Sequence, residues 1–142
     1  MALWPSSDPY DFALAAARAV GEHNPGITFT YVSGEGTGST ERGRTMWARV
    51  KGRTENALLA MPMNAYMFRP GYIQPLHGAV SETRLHRVMY TLVSWLYPVL
   101  RRIAPSHTTT TEHLGRATPA VARPRVRCPR VLDSREINRL GA

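Results

Sequence analysis

Lysine is almost missing from this chain. Of its 18 basic residues all but Lys51 are arginine, so one position keeps a compact ammonium where the rest of the sequence uses a planar guanidinium. Cysteine is as scarce: Cys128 stands alone, which excludes an intramolecular disulfide. The five histidines are scattered without the Cys/His spacing of a zinc site, and no metal ligands are assigned. Acidic residues number 10, leaving a formal net charge of +8. That surplus attracts phosphate-bearing partners in general. The arginines are spread along the chain with no RNA- or DNA-binding signature beside them, so nucleic acid is not the expected partner. No apolar run is long enough to span a bilayer. The opening MALWPSSDPYDF has two prolines and two aspartates where a secretory leader needs a basic start and an apolar run, which points to a cytoplasmic protein.

What is present is ordinary globular composition: 142 residues, 43% hydrophobic and 20% charged, enough for one modest domain with a core. Asp8 and Pro9 suit the cap and first turn of a helix over residues 9–23, which Asn24-Pro25-Gly26 stops. Residues 27–33 are a β-branched and aromatic run followed by Gly34, which predicts a buried strand. A helical pattern returns over 45–60 around Trp47, Val50, Ala57 and Leu58, and MNAYMFR at 63–69 predicts a second strand. The order helix, strand, helix, strand is an α/β rhythm, so the two strands are expected to be parallel neighbours. The polar loop GEGTGSTERGR at 34–44 is rich in glycine, but position 39 is serine where a dinucleotide fingerprint needs its third glycine, and no P-loop lysine follows. It is read as a surface loop.

The remaining sequence is read as one continuing domain over 1–142: a core at 9–75, a helical segment at 82–103 and a C-terminal strand and helix region at 107–142. HTTTTEHLGRA is expected to be an extended piece capped by threonine into a helix that Pro119 disturbs. VARPRVRCPR reads as a linker, with a phosphate-binding patch over 116–130 as the minor alternative. Asp133 and Glu136 stand in capping-box spacing before a short last helix.

Lys51 is where a family resemblance begins. Y-V-S-G at 31–34, K-G-R-T-E-N-A-L-L at 51–59 and R-P-G at 69–71, in this order on a strand-helix-strand rhythm, resemble the short-chain dehydrogenase/reductase superfamily. The likeness is to its atypical or extended, NAD-dependent epimerase/dehydratase-like members. It runs from about residue 9 to the C-terminus and is closest between 27 and 75. The resemblance implies a partial Rossmann-like fold, a doubly wound parallel sheet lacking the N-terminal dinucleotide-binding half, because no glycine-rich strand-turn-helix precedes residue 9. It implies catalytic positions at Ser33 and Lys51, and contacts to NAD or NADP from Lys51, Pro70, Gly71, Tyr72 and Ile73. In the family a tyrosine stands four residues before the lysine, where its phenol works as acid and base. Here that place holds Trp47, and indole only donates a hydrogen bond. The resemblance therefore implies a truncated, catalytically incomplete oxidoreductase- or epimerase-like protein with weak or absent cofactor binding. An exposed sheet edge would suit self-association or a complementing chain.

A second class of function rests on residues 82–103. Leu85, Val88, Met89, Leu92, Leu96 and Leu100 form one helical stripe, with Pro98 kinking or dividing the helix near its end. Arginines at 84, 87, 101 and 102 accompany Tyr90, Trp95 and Tyr97. The alternative reading is a non-enzymatic interaction module that binds a partner protein or a membrane surface through this helix.

Overall fold

The structure is a computed structural model that describes residues 9–74 and 84–142. The expected cap at Asp8 and the start of the predicted helix at 82 lie outside the described residues. The chain divides into two compact units, Met1–Arg69 with Pro129–Val131, and Pro70–Cys128 with Leu132–Ala142.

The first unit is built from α1 (Pro9–His23), β1 (Thr28–Val32), α2 (Met46–Leu59) and β2 (Asn64–Arg69). β1 and β2 run parallel, from Thr28 opposite Asn64 to Val32 opposite Phe68. The two parallel strands are joined by a crossover that contains α2, as parallel neighbours require. The sheet order is β1-β2-β5, with β5 at Val131–Asp133, and within the first unit Met67 N–H donates to Arg130 O at 2.7 Å. Central position explains the composition of β2: Ala65, Met67 and Phe68 are all fully buried, as befits a strand covered on both faces. β1 is an edge, and Val32 is 47% exposed. Leu14 and Ala17 of α1 and Leu58 of α2 meet Met63, Ala65 and Met67 in one core cluster, ringed by Ile27, Phe29 and Tyr31. Each large apolar side chain buried there contributes about 1.5–3 kcal/mol.

The second unit contains β3 (Tyr72–Gln74), α3 (Arg84–Ile103), a 3-10 turn at Pro105–His107, β4 (Thr108–Thr110), α4 (Thr111–Ala120) and α5 (Ser134–Gly141). β3 is a difference from the sequence reading, which ends its second strand at Arg69 and assigns no strand to Tyr72 and Ile73. They pair in parallel with Thr108 and Thr109, and three residues are too few to show a strand period in sequence. The three threonines of β4 are buried. Asn138 satisfies part of this polar strand, donating to Thr108 O at 2.8 Å and accepting from Thr109 Oγ1 at 2.7 Å.

Both helix starts read from the C-terminal region are present as caps. Thr110 Oγ1 accepts from His113 N–H at 3.1 Å, and Asp133 Oδ1 accepts from Glu136 N–H at 2.9 Å. α4 ends at Ala120, one residue past Pro119. α3 runs on through Pro98 rather than dividing there. α5 approaches α4 so closely that a β-carbon on Gly141 would collide with the backbone of His113.

Candidate functional site

Successive turns of α2 carry Trp47, Lys51 and Glu55, which a helix places on one side. Ser33 follows β1 directly, and its N–H donates to Phe68 O at 2.9 Å, extending the ladder by one rung. Lys51 Nζ donates to Ser33 O at 2.8 Å. A single ammonium on a long stem suits one carbonyl approached end-on, where a guanidinium would bring a planar fork. The Ser33 hydroxyl donates to Glu55 Oε1 by a short hydrogen bond and lies 3.3 Å from Phe68 O.

Glu55 is fully buried. Its carboxylate is held by Arg69 from the end of β2: Nε donates to Oε1 at 3.1 Å and to Oε2 at 3.0 Å, and Nη2 makes a short ion pair with Oε2. The Arg69 side chain is 21% exposed against 1% for Glu55, so the cation reaches the surface while the anion does not. Both carboxylate oxygens are thus satisfied by charge-assisted bonds, as burial of an ionised group requires.

The glycine-containing loop is tied across the same helix. Arg69 Nη2 donates to Ser39 Oγ at 2.7 Å, and Asn56 Nδ2 donates to Ser39 O and Glu41 Oε1, each at 2.9 Å. Gly38 N–H donates to Ala48 O at 3.0 Å. The contact of Gly52 with the Gly38 carbonyl leaves no space for a β-carbon, so the loop lies against bare helix backbone at that turn. Gly36 takes a left-handed φ of 84°, a conformation open to glycine, and the rim of the Trp47 ring is 3.6 Å from where its β-carbon would stand.

Tyr31, on β1, has its phenol pKa pushed above the ordinary 10.0: burial is the main cause, the Glu55 charge adds to it, and a side-chain hydrogen bond with Thr54 opposes it. Cys128 is raised mainly by burial as well, with the nearby Arg139 charge opposing, which disfavours the thiolate that a nucleophile would need.

Of the residues assigned from the sequence, Ser33 and Lys51 are brought into hydrogen-bond contact. Trp47 lies one turn earlier and is 47% exposed. Pro70, Gly71, Tyr72 and Ile73 belong to the second unit, where Gly71 N–H donates to Ser134 Oγ at 2.9 Å and β3 pairs with β4. Glu55 and Arg69 stand within the motifs that carry the resemblance, yet spacing alone assigns them no role. Their signal is opposite charge at a helix position four after Lys51 and at the strand end that follows.

Two hollows of about 570 and 510 Å³ lie elsewhere in the first unit, one along Pro25, Leu59 and Arg130 and one along Tyr10, Arg18 and Ala57. Neither is lined by Ser33, Lys51 or Glu55. Among the described residues there is no group of three or more His, Cys, Asp or Glu side chains that could hold a metal ion. No helix among them is long and apolar enough to cross a membrane. No family model, curated protein or solved structure matches the chain.

Proposed function

We propose that this chain is an NAD(P)-associated, epimerase/dehydratase-like protein of the short-chain dehydrogenase/reductase type. Residues 9–69 would be the lysine-bearing part of a Rossmann-like fold. The observation that carries this reading is the placement of Lys51: one turn after position 47, with Nζ 2.8 Å from the carbonyl of Ser33 at the end of β1. Parallel β1 and β2 with α2 between them support it.

The residues fit part of a nicotinamide nucleotide site. Lys51 is partly exposed, and its bond to Ser33 O uses one of three ammonium donors. The others suit a ribose diol. The cofactor, when bound, would supply hydride transfer. The chain's own contribution is orientation: Glu55 and Arg69 fix Ser33 and the end of β2, and Ser33 O holds the ammonium. Proton transfer has no owner at position 47, because an indole neither accepts nor releases a proton near neutral pH. A pyrophosphate cradle of the G-x-G-x-x-G type is absent from the sequence.

The test is a titration with NADH and NADPH, followed by cofactor fluorescence. It uses the chain as it is and the chain fused behind the dinucleotide-binding half of an epimerase-like enzyme. The expected result is no micromolar binding by the chain alone and micromolar binding by the fusion, weakened roughly ten-fold by Lys51→Ala through loss of a charged hydrogen bond. A folded fusion that binds no cofactor, or binds it equally well with Lys51→Ala, would overturn the proposal.

A further inference from the structure

Among the described side chains of α3, polar and aromatic groups are anchored and a run of apolar ones is exposed. Ser94 exchanges hydrogen bonds with the Gln74 amide at 3.0 and 3.2 Å, and the Tyr97 ring lies 6.2 Å from that of Tyr72. Val88, Leu92, Trp95, Leu96, Val99 and Ile103 are all exposed, Trp95 by 84%. Their spacing of three, four and seven residues puts them on one helical face, over a length of about 22 Å. Scattered exposed apolar residues need no explanation, but a contiguous stripe of this kind marks an interaction surface.

The charges of the helix choose between occupants. The sequence of α3 holds four arginines, at 84, 87, 101 and 102, and no aspartate or glutamate. By spacing, Arg101 falls on the anchored side with Ser94 and Tyr97, whereas Arg84 and Arg102 fall five whole turns apart beside Trp95. Pairing the stripe with a second copy would set position 102 against position 102 if parallel, or against position 84 if antiparallel. Like charges face each other in both cases, and no acid on the helix relieves them. An anionic lipid surface complements both ends at once. It also accepts the apolar stripe among its acyl chains and suits an exposed tryptophan at headgroup depth.

We propose that α3 is an interfacial helix that docks this chain in-plane on an anionic lipid surface, with Leu92, Trp95 and Val99 inserted and Arg102, beside that stripe, on the headgroups. The proposal is independent of the cofactor reading and survives or fails without it.

The experiment is co-sedimentation of the full chain with vesicles of phosphatidylcholine alone and of phosphatidylcholine mixed with phosphatidylglycerol, alongside sedimentation velocity without lipid. Binding is expected to the mixed vesicles only and to weaken with salt. Arg102→Gln should lower partitioning roughly five-fold, the contribution of one arginine near the surface. Leu92→Asp with Trp95→Asp should abolish it, with circular dichroism checking the fold. A readout free of the aspartate variant is fluorescence quenching by phospholipid brominated in its acyl chains, expected for the unsubstituted chain and reduced by Trp95→Phe. Failure to bind anionic vesicles at low salt, or binding that persists in the aspartate variant, would overturn the proposal. So would a lipid-free dimer dissolved by the same substitutions without any vesicle binding, which would give the face to a second copy.

Discussion

α2 and α3 are both amphipathic by pattern, and they use their two faces in opposite ways. α2 turns Ala48 and Leu58 inward and takes one charge in with them: Glu55 is fully buried and clamped by Arg69. α3 is held by Ser94 and Tyr97 and leaves Leu92, Trp95 and Ile103 in the open. Hydrophobic periodicity thus identifies a helix and its faces without saying which face the rest of the molecule covers. The buried charge of α2 organises a site. The exposed apolar face of α3 offers a contact.

The comparison is broken most forcefully at Arg69. Arg69→Leu leaves the buried Glu55 carboxylate without its cation and should cost about 3–5 kcal/mol in urea unfolding, whereas Glu55→Met with Arg69→Met should cost less than Arg69→Leu alone. Equal losses in the two variants would show that the ion pair is not what α2 depends on.

Next in size is the approach of the loop to α2. Gly52→Ala drives a methyl into the Gly38 carbonyl and should destabilise by about 1–3 kcal/mol, the usual cost of overpacking. Gly115→Ala on α4, where nothing lies within 4 Å, is the control and should stabilise by about 0.5–1 kcal/mol. Similar signs for the two would remove the close approach as the reason for glycine at 52.

α3 should behave differently under substitution. Leu92→Ser, at an exposed site, should change unfolding stability by no more than about 0.5 kcal/mol. A loss of several kcal/mol would mean that the stripe is covered in the folded chain.

The smallest expected effect is alkaline. Tyr31 keeps its proton above the ordinary value of 10.0, so the folded state holds this proton more tightly than the unfolded state. Its contribution is fully present below pH 10 and is lost as pH rises through the folded pKa. Ultraviolet difference titration should show a late-ionising phenol that is absent in Tyr31→Phe. A late phenol that persists in that variant would belong to another tyrosine.

Much of the first unit was legible in sequence because its signals are local. Asn24-Pro25-Gly26 ends α1, a β-branched and aromatic run marks β1, the short run MNAYMFR marks β2, and the sequence places their ends within a residue or two of the structure. Caps at Thr110 and Asp133 were legible for the same reason, since a cap is a bond spanning three residues. The partnership of Lys51 with the end of β1 was readable only through the family resemblance, as it joins residues 18 apart. The Glu55–Arg69 clamp and the hold of Ser39 depend on burial, which no spacing encodes. β3 was hidden by its length, and the exposure of α3 by the symmetry of an amphipathic pattern, which reads the same whichever face is covered.

The account rests centrally on α2 presenting position 47 and Lys51 as a pair, and Trp47→Tyr in the chain as it exists tests this without a substrate. Labelling the tyrosines with carbon-13 and titrating by NMR would give the pKa of the introduced phenol. A lysine ammonium one turn away should hold it below the ordinary tyrosine value by about 1 unit, and Lys51→Met in the same background should release it. A phenol that titrates at the ordinary value, or one indifferent to Lys51→Met, would contradict the pairing and with it the site.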